Sequence, residues 1–182
     1  MNMHLSPQAR MDAAFDNYLE MSALLRSDLI EMLESESQSQ HWRRNYVRVV
    51  ASLTEGLAHC VREMCSVSFD CVAPKISSSE RRLLLEEEKV GAIDRIKLTL
   101  CVAYKLFELQ PTPNFGGPEW PRAKRAFEKR NALMHPKTPA DFEVADDLWV
   151  ELQSGVAWLI EQLFNFSAAL HKAGGTPDGV IA

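Results

Sequence analysis

The sequence predicts an all-α protein, folded as a four- to five-helix up-and-down bundle. Apolar residues recur at three- and four-residue steps along most of the chain, as they do on the buried face of an amphipathic helix. No segment shows the two-residue alternation that is typical of a β-strand. Glycine and proline cluster between the periodic segments, where they interrupt helices. We therefore predict one helical domain over residues 1–173 and a flexible C-terminal tail over 174–182.

The first half of the chain predicts two long helices. Ser6-Pro7 offers a capping residue followed by proline at the first helical position. One apolar stripe then runs over 11–33, and a second runs over 42–64. The segment 67–79 has no helical period and contains a proline and three consecutive serines, so we predict a loop there.

The second half predicts a short charged helix over 80–89 and two longer helices over 93–107 and 119–135. The helix over 119–135 must end at about His135, because Pro136 disfavours helical geometry in the residue before it. Four of its side chains are expected to point inward: Trp120, Ala123, Phe127 and Met134.

The last predicted helix carries an apolar stripe over 149–170, the most regular in the chain. Thr138-Pro139-Ala140-Asp141 resembles a cap that leads into this helix. Gly174-Gly175 is expected to end it.

Composition argues against several classes of protein. The formal net charge of −5 over 182 residues argues against a positively charged surface that binds nucleic acid non-specifically. No apolar run reaches the roughly 18 residues that span a bilayer, and no secretory signal is visible, so we expect a cytoplasmic protein without a membrane partner. The four cysteines lack zinc spacing, and Cys60 and Cys101 fall in apolar stripes as expected core residues. No metal and no cofactor are predicted.

One segment combines residues suited to chemistry, Arg130-Asn131-Ala132-Leu133-Met134-His135. Asn131 and His135 are four residues apart and share a helix face, so the amide can orient the imidazole. The guanidinium of Arg130 is a planar cation whose forked donors suit a phosphate. Arginine and histidine are a minimal set for cleaving RNA without a metal. In the simpler interpretation, Asn131 caps the helix end and His135 complements the helix dipole.

The most basic stretch of the chain leads into this segment. Its cations between positions 122 and 130 are Arg122, Lys124, Arg125, Lys129 and Arg130, against a single glutamate. We predict an RNA-binding face made of Arg122, Arg125, Lys129 and Lys137. A charge run of this kind is equally typical of a solvated helix surface.

An Arg-Asn-x-x-x-His that ends a helix and is followed by Pro136-Lys137, within an all-helical chain, resembles the HEPN family (higher eukaryotes and prokaryotes nucleotide-binding domains). The resemblance covers about 42–170, and its specific content is Arg130, Asn131 and His135. It implies a metal-independent endoribonuclease, often a toxin or phage-defence effector, that acts as a homodimer with both motifs in one cleft. Arg130 and His135 would be catalytic and Asn131 would orient the site. RNA would be the substrate, and an antitoxin or another regulatory protein would be a partner.

Two further positions bear on this resemblance. A polar residue on the second helix often supports the cleft in this family, and Glu55 is a candidate that the sequence does not single out. In HEPN toxins silenced by adenylylation a tyrosine lies two residues beyond the histidine. Lys137 occupies that position here, so control by this route is not expected. Two alternatives stay open: a catalytically inactive HEPN-like module that binds nucleotide, RNA or a protein, and an unrelated bundle that carries the motif by coincidence.

Overall fold

The computed structural model describes residues 6–34, 39–71, 76–85 and 90–173, apart from the side chains of Asp70 and Cys71. Within these ranges the chain forms α-helices and one 3-10 helix, with no β-strand. In chain order they are α1 (Pro7–Glu34), α2 (Gln40–Cys71), α3 (Ser78–Leu85), α4 (Ala92–Leu106), α5 (Glu119–Met134), the 3-10 helix (Pro139–Phe142) and α6 (Asp146–Lys172). The predicted all-α helical bundle is confirmed. The predicted tail and Gly174-Gly175 lie outside the described residues.

Helix α2 lies at the centre of the bundle and packs against α1, α4, α5 and α6. Its side chains Leu53, Leu57 and Val61 are almost fully buried, since their spacing places them on one side of the helix. Tyr18 of α1 donates a hydrogen bond from its buried hydroxyl to the backbone carbonyl of Leu163 in α6, at 2.6 Å. This bond satisfies the polar end of a ring that otherwise fills the core.

A second, smaller apolar cluster supports the C-terminal turn of α5. Trp42 and Tyr46 of α2 stack with their ring centroids 5.5 Å apart, and Trp149 of α6 meets both rings edge-on. Leu133 of α5 belongs to the same cluster and is only 3% exposed. Because burying a leucine stabilises a fold by about 1.5–3 kcal/mol, this side chain holds the end of α5 in place.

Helices α5 and α6 approach each other closely at Gly155. A Cβ atom at this position would lie 2.3 Å from the backbone nitrogen of Ala123 and 2.4 Å from the carbonyl carbon of Arg122. Both distances are too short for a carbon atom, so only glycine permits this contact. The two backbones are thereby held together about two helical turns, or about 10 Å, before Arg130.

Two predicted boundaries are wrong. Residues 67–71 continue α2 instead of starting a loop, because Val67 and Phe69 are buried and the next helix breaker in the sequence is Pro74. Thr138 and Asp141 do form a capping box, but it begins the 3-10 helix, and α6 starts later, at Asp146. A single turn of 3-10 helix thus separates the end of α5 from the start of α6.

Three side chains expected to face the core are exposed. Cys101 is exposed on α4, since the neighbouring Leu100 takes the buried face of that helix. Leu33 near the end of α1 is 51% exposed. Met134 is 50% exposed, because Leu133 occupies the buried place at the end of α5. Cys60, by contrast, is buried as predicted. No described helix combines the length and apolar character needed to cross a membrane.

Candidate active site at the end of helix α5

Helix α5 ends where the sequence predicts. His135 is its C-cap, with φ −131° and ψ 59°, and its backbone N–H donates to the carbonyl of Asn131 at 2.9 Å. Pro136 follows and cannot extend the helix. The side chains of Asn131 and His135 are exposed, whereas Leu133 between them is buried. The predicted segment therefore presents Asn131 and His135 at the surface, and the buried side chain of Leu133 holds this helical turn in place.

Arg130 faces α2 because it continues the inward stripe of Trp120, Ala123 and Phe127. Its Nη2 donates to Oε2 of Glu55 at 3.3 Å, and its Nη1 donates to Oδ1 of Asn131 at 3.1 Å. The side chains of Arg130 and Glu55 are 26% and 32% exposed, so the pair lies at the edge of the bundle. Two of the donors of the guanidinium are engaged, and its other donors make no hydrogen bond to the described residues, so they can serve a ligand.

The expected bond between Asn131 and His135 is not formed. Among the described residues no side-chain hydrogen bond joins them, and the amide oxygen of Asn131 accepts from Arg130 instead. Neither side chain caps the helix in the described part of the chain. The Leu133 carbonyl at the helix end is approached by Nη2 of Arg48 from α2, at 3.5 Å. Asn131 therefore orients Arg130 more directly than it orients His135.

The segment after His135 is held by Asp141. Its Oδ2 accepts hydrogen bonds from the backbone N–H groups of Lys137 and Thr138, at 2.7 and 2.8 Å. These two bonds lower the pKa of the Asp141 carboxyl, and the bond from Lys137 has the larger effect. The Nζ of Lys129 donates to the Asp141 backbone carbonyl at 2.8 Å, and burial lowers the pKa of this amine. The 3-10 helix thereby ties the chain beyond the motif back to α5.

Three of the residues predicted to bind RNA, Arg122, Arg125 and Lys129, turn away from Arg130. Arg122 donates to the hydroxyl of Ser154 at 3.2 Å, and Arg125 pairs with Glu151, so both side chains turn toward α6. Lys129 turns toward the 3-10 helix. The side chain of Lys137 is exposed. The basic stretch is thus divided between two sides of α5.

A polar stripe on α2, of which the sequence analysis names only Glu55 as a candidate, lies opposite Arg130. We call it the α2 polar stripe; its members are His41, Asn45, Arg48, Ser52, Glu55, His59 and Arg62. They are spaced alternately four and three residues apart, and each side chain is half-buried or exposed. This spacing places them on one line along the helix. The stripe could have been predicted from the sequence, because polar residues recur along α2 at this alternating spacing of four and three.

The stripe connects the motif to a cavity. Arg48 reaches the end of α5, Glu55 holds Arg130, and Arg62 lies about 10 Å further along the helix axis. At that end a cavity of about 390 Å³ lies between α2 and the start of α4. Glu55 and Arg130 form part of its wall.

The part of the chain that the structure describes contains no group of three or more His, Cys, Asp or Glu side chains arranged to hold a metal ion. Comparison of the sequence with protein-family models and with curated proteins, and of the structure with solved structures, gives no match.

Proposed function

We propose that the protein is an endoribonuclease of the HEPN type, which cleaves RNA without a metal at the end of α5. The observation that carries the proposal is the Glu55–Arg130 pair at 3.3 Å, five residues before a surface-exposed histidine. A carboxylate that holds one edge of a guanidinium fixes the direction in which its other donors point. Such a preorganised cation suits the charge that develops on a phosphate in the transition state.

The chemistry assigns one task to each group. His135 accepts the proton of the ribose 2′-hydroxyl, and the 2′-oxygen attacks phosphorus, so that a P–O2′ bond forms and the P–O5′ bond breaks. Arg130 stabilises the negative charge on the non-bridging oxygens. The leaving 5′-oxygen takes a proton from a general acid. The products are a 2′,3′-cyclic phosphate and a 5′-hydroxyl.

The single histidine of the motif favours a homodimer. The motif contributes one histidine, His135, whereas the mechanism uses both a base and an acid. A two-fold axis that brought two copies of the motif together would supply both. RNA is then the substrate, and an antitoxin or another regulatory protein belongs to the proposal only through the family resemblance.

RNA cleavage with end-group analysis tests the proposal. We expect wild-type protein to cleave single-stranded RNA in the presence of EDTA and to leave 2′,3′-cyclic phosphate ends. His135→Ala and Arg130→Ala should each lower the rate by about 10²- to 10⁴-fold, because each removes a group that acts in the transition state. His171→Ala, which changes an exposed histidine at the far end of α6, is the matched control and should retain the wild-type rate.

Activity that EDTA abolishes and magnesium restores would contradict this mechanism, as would full activity in His135→Ala. The second candidate function is a binding module without catalysis. It is favoured by the arginine-lined cavity beside Glu55 and by the missing bond between Asn131 and His135. Wild-type protein that binds RNA but cleaves no RNA would support that function instead.

A further inference from the structure

The cavity between α2 and α4 is lined by an unusual set of side chains. Three are arginines, Arg62, Arg95 and Arg130, and one is a carboxylate, Glu55. Its volume of about 390 Å³ falls within the roughly 300–1,000 Å³ of small-molecule sites, so it has room for more than a single phosphate group. The formal charge of these four side chains is positive. A cavity of this kind is suited to an anion.

Two of the cations that line the cavity, Arg62 and Arg95, act on each other electrostatically. Arg62 donates from Nη2 to Nδ1 of His59 at 2.8 Å, which fixes its guanidinium on the α2 polar stripe. Burial, and then the nearby positive charge of Arg95, lower the pKa of Arg62. Arg62 and Arg95 line the same cavity, so an anion bound between them would interact with both guanidinium groups.

Helix α4 contributes to the same cavity. Val90 and Ala92, at its N-terminal end, are part of the wall. At Gly91 the first N–H groups of this helix meet no capping side-chain oxygen from the described residues. The positive end of the helix dipole therefore adds to the field of the arginines.

Two buried polar atoms in the wall have no partner among the described residues. They are Oγ1 of Thr99, a residue that is 0% exposed, and Oε1 of Glu55. A buried oxygen that makes no hydrogen bond costs about 1–3 kcal/mol, so such atoms are uncommon unless a ligand uses them. The hydroxyl of Thr99 can donate to a phosphate oxygen, and the carboxylate of Glu55 can accept from a ribose hydroxyl or a base N–H.

We propose that this cavity binds the phosphate of a nucleotide, with the sugar or base contacting Glu55. The phosphate lies between Arg62 and Arg95 and near the first turn of α4. In an RNA substrate it is the phosphate of a nucleotide that flanks the cleaved bond, since Arg130 belongs both to the motif and to the cavity wall. The substrate class rests on the proposed function, but the test is a binding measurement that needs no cleavage.

Calorimetric titration of the full chain tests the proposal with two probes. One is 5′-AMP, and the other is a short RNA whose riboses are 2′-O-methylated and cannot attack phosphorus. We expect Arg62→Gln and Arg95→Gln each to weaken binding by about 10- to 100-fold, the range for a lost charge-assisted hydrogen bond. The salt dependence of RNA binding should also become shallower by about 0.7 in the log–log slope for each lost phosphate contact. Arg26→Gln, an exposed arginine of α1, controls for net charge and should change neither quantity.

A second pair of variants keeps the arginines. Ala92→Glu places a carboxylate in the cavity at the first position of α4, where a negative charge is compatible with the helix. It should abolish binding, whereas the neutral Ala92→Gln should retain most of it. Tight binding of 5′-AMP would identify a free nucleotide as the ligand, and binding of RNA alone would identify the RNA backbone. The proposal is overturned if neither probe binds, or if both bind equally well to wild type, Arg62→Gln and Ala92→Glu. Because these probes are not cleaved, that result is distinct from a failure of the nuclease assay.

Discussion

At the scale of single residues, Arg130 connects the parts of the candidate site. Its position on the inward stripe of α5 directs the guanidinium toward Glu55, and the next residue, Asn131, bonds its other terminal nitrogen. A guanidinium can bond both partners because its donors form a rigid fork. An ammonium group at the same place has no such geometry.

Arg130→Lys therefore tests the fork without removing the charge. We expect the cleavage rate to fall by about 10²-fold or more, because a misplaced cation stabilises the transition state poorly. The melting temperature should change little, since a partly exposed ion pair contributes about 0–1 kcal/mol to the free energy of unfolding. Glu55→Gln, which keeps the shape but removes the charge that holds Arg130, should give an intermediate rate. Glu161→Gln on the exposed side of α6 is its control. A wild-type rate in Arg130→Lys would show that only the charge matters.

Sequence reasoning identifies Arg130, and it names Glu55 only as one candidate that the sequence does not single out. The motif follows from residues close together in the chain, and the end of α5 at His135 follows from Pro136. Glu55 is 75 residues away from Arg130, and Arg95 and Thr99 belong to another helix. The packing of α5 against α2 decides which polar residue of α2 contacts the motif. A single sequence does not show how two helices distant in the chain pack. The sequence predicts that Met134 faces inward, and this is wrong for the same reason: the apolar stripe alone does not show where the contact with α2 ends.

At the scale of elements, the helices follow from the sequence because their apolar periods are long. The errors arose where local signals competed with packing. Residues 67–71 have a weak period, yet burial of Val67 and Phe69 extends α2 through them. The predicted capping box at Thr138 is present. A capping box marks where a helical segment starts, but it does not determine how long that segment is. The 3-10 helix it begins is what holds the segment beyond His135.

The contact between α5 and α6 gives a prediction at this scale. Gly155→Ala should lower the stability by about 1–3 kcal/mol, because the new methyl group meets backbone atoms of Ala123 and Arg122 that cannot move without separating the helices. The intrinsic helix preference for alanine, about 1 kcal/mol, favours the opposite result. Thermal or urea unfolding measures the difference.

Gly56→Ala in α2 is the matched control. Its Cβ would meet only the terminal carbon of Met21, at 2.5 Å, and that flexible side chain can turn away. We expect this variant to be close to neutral or slightly stabilised. Equal stability of the two variants would mean that the α5–α6 contact is looser than the distances at Gly155 indicate.

At the scale of the whole molecule, exposed apolar side chains lie close to the motif in the sequence. The described chain exposes several large apolar side chains, and Met134, Phe142 and Val150 among them fall in the short stretch that contains His135 and the start of α6. Polar residues of the motif, Asn131 and His135, stand on either side of Met134 in the sequence. An interface of this composition has the apolar anchors and polar rim that protein contacts use.

We predict that the protein is a homodimer in which each cleft needs both copies of His135. Light scattering at tens of micromolar should give twice the chain mass, and Met134→Glu should shift it toward the monomer and lower the cleavage rate, because it places a charge in the apolar centre of the contact. Leu24→Glu, at an exposed leucine of α1, is the control and should leave mass and rate unchanged.

Mixing of subunits then separates a composite site from two independent ones. If the base comes from one chain and the acid from the other, a dimer with one His135→Ala subunit is inactive, so activity follows the square of the wild-type fraction. An equal mixture that has exchanged fully should retain about one quarter of the wild-type rate, whereas independent sites would retain about one half. Native mass spectrometry with a tagged variant would verify the exchange. A linear dependence of activity on the wild-type fraction, or a monomer that cleaves at the full rate, would rule out the shared cleft. The roles of Arg130 and His135 within one chain would then still be tested by the single-residue variants above.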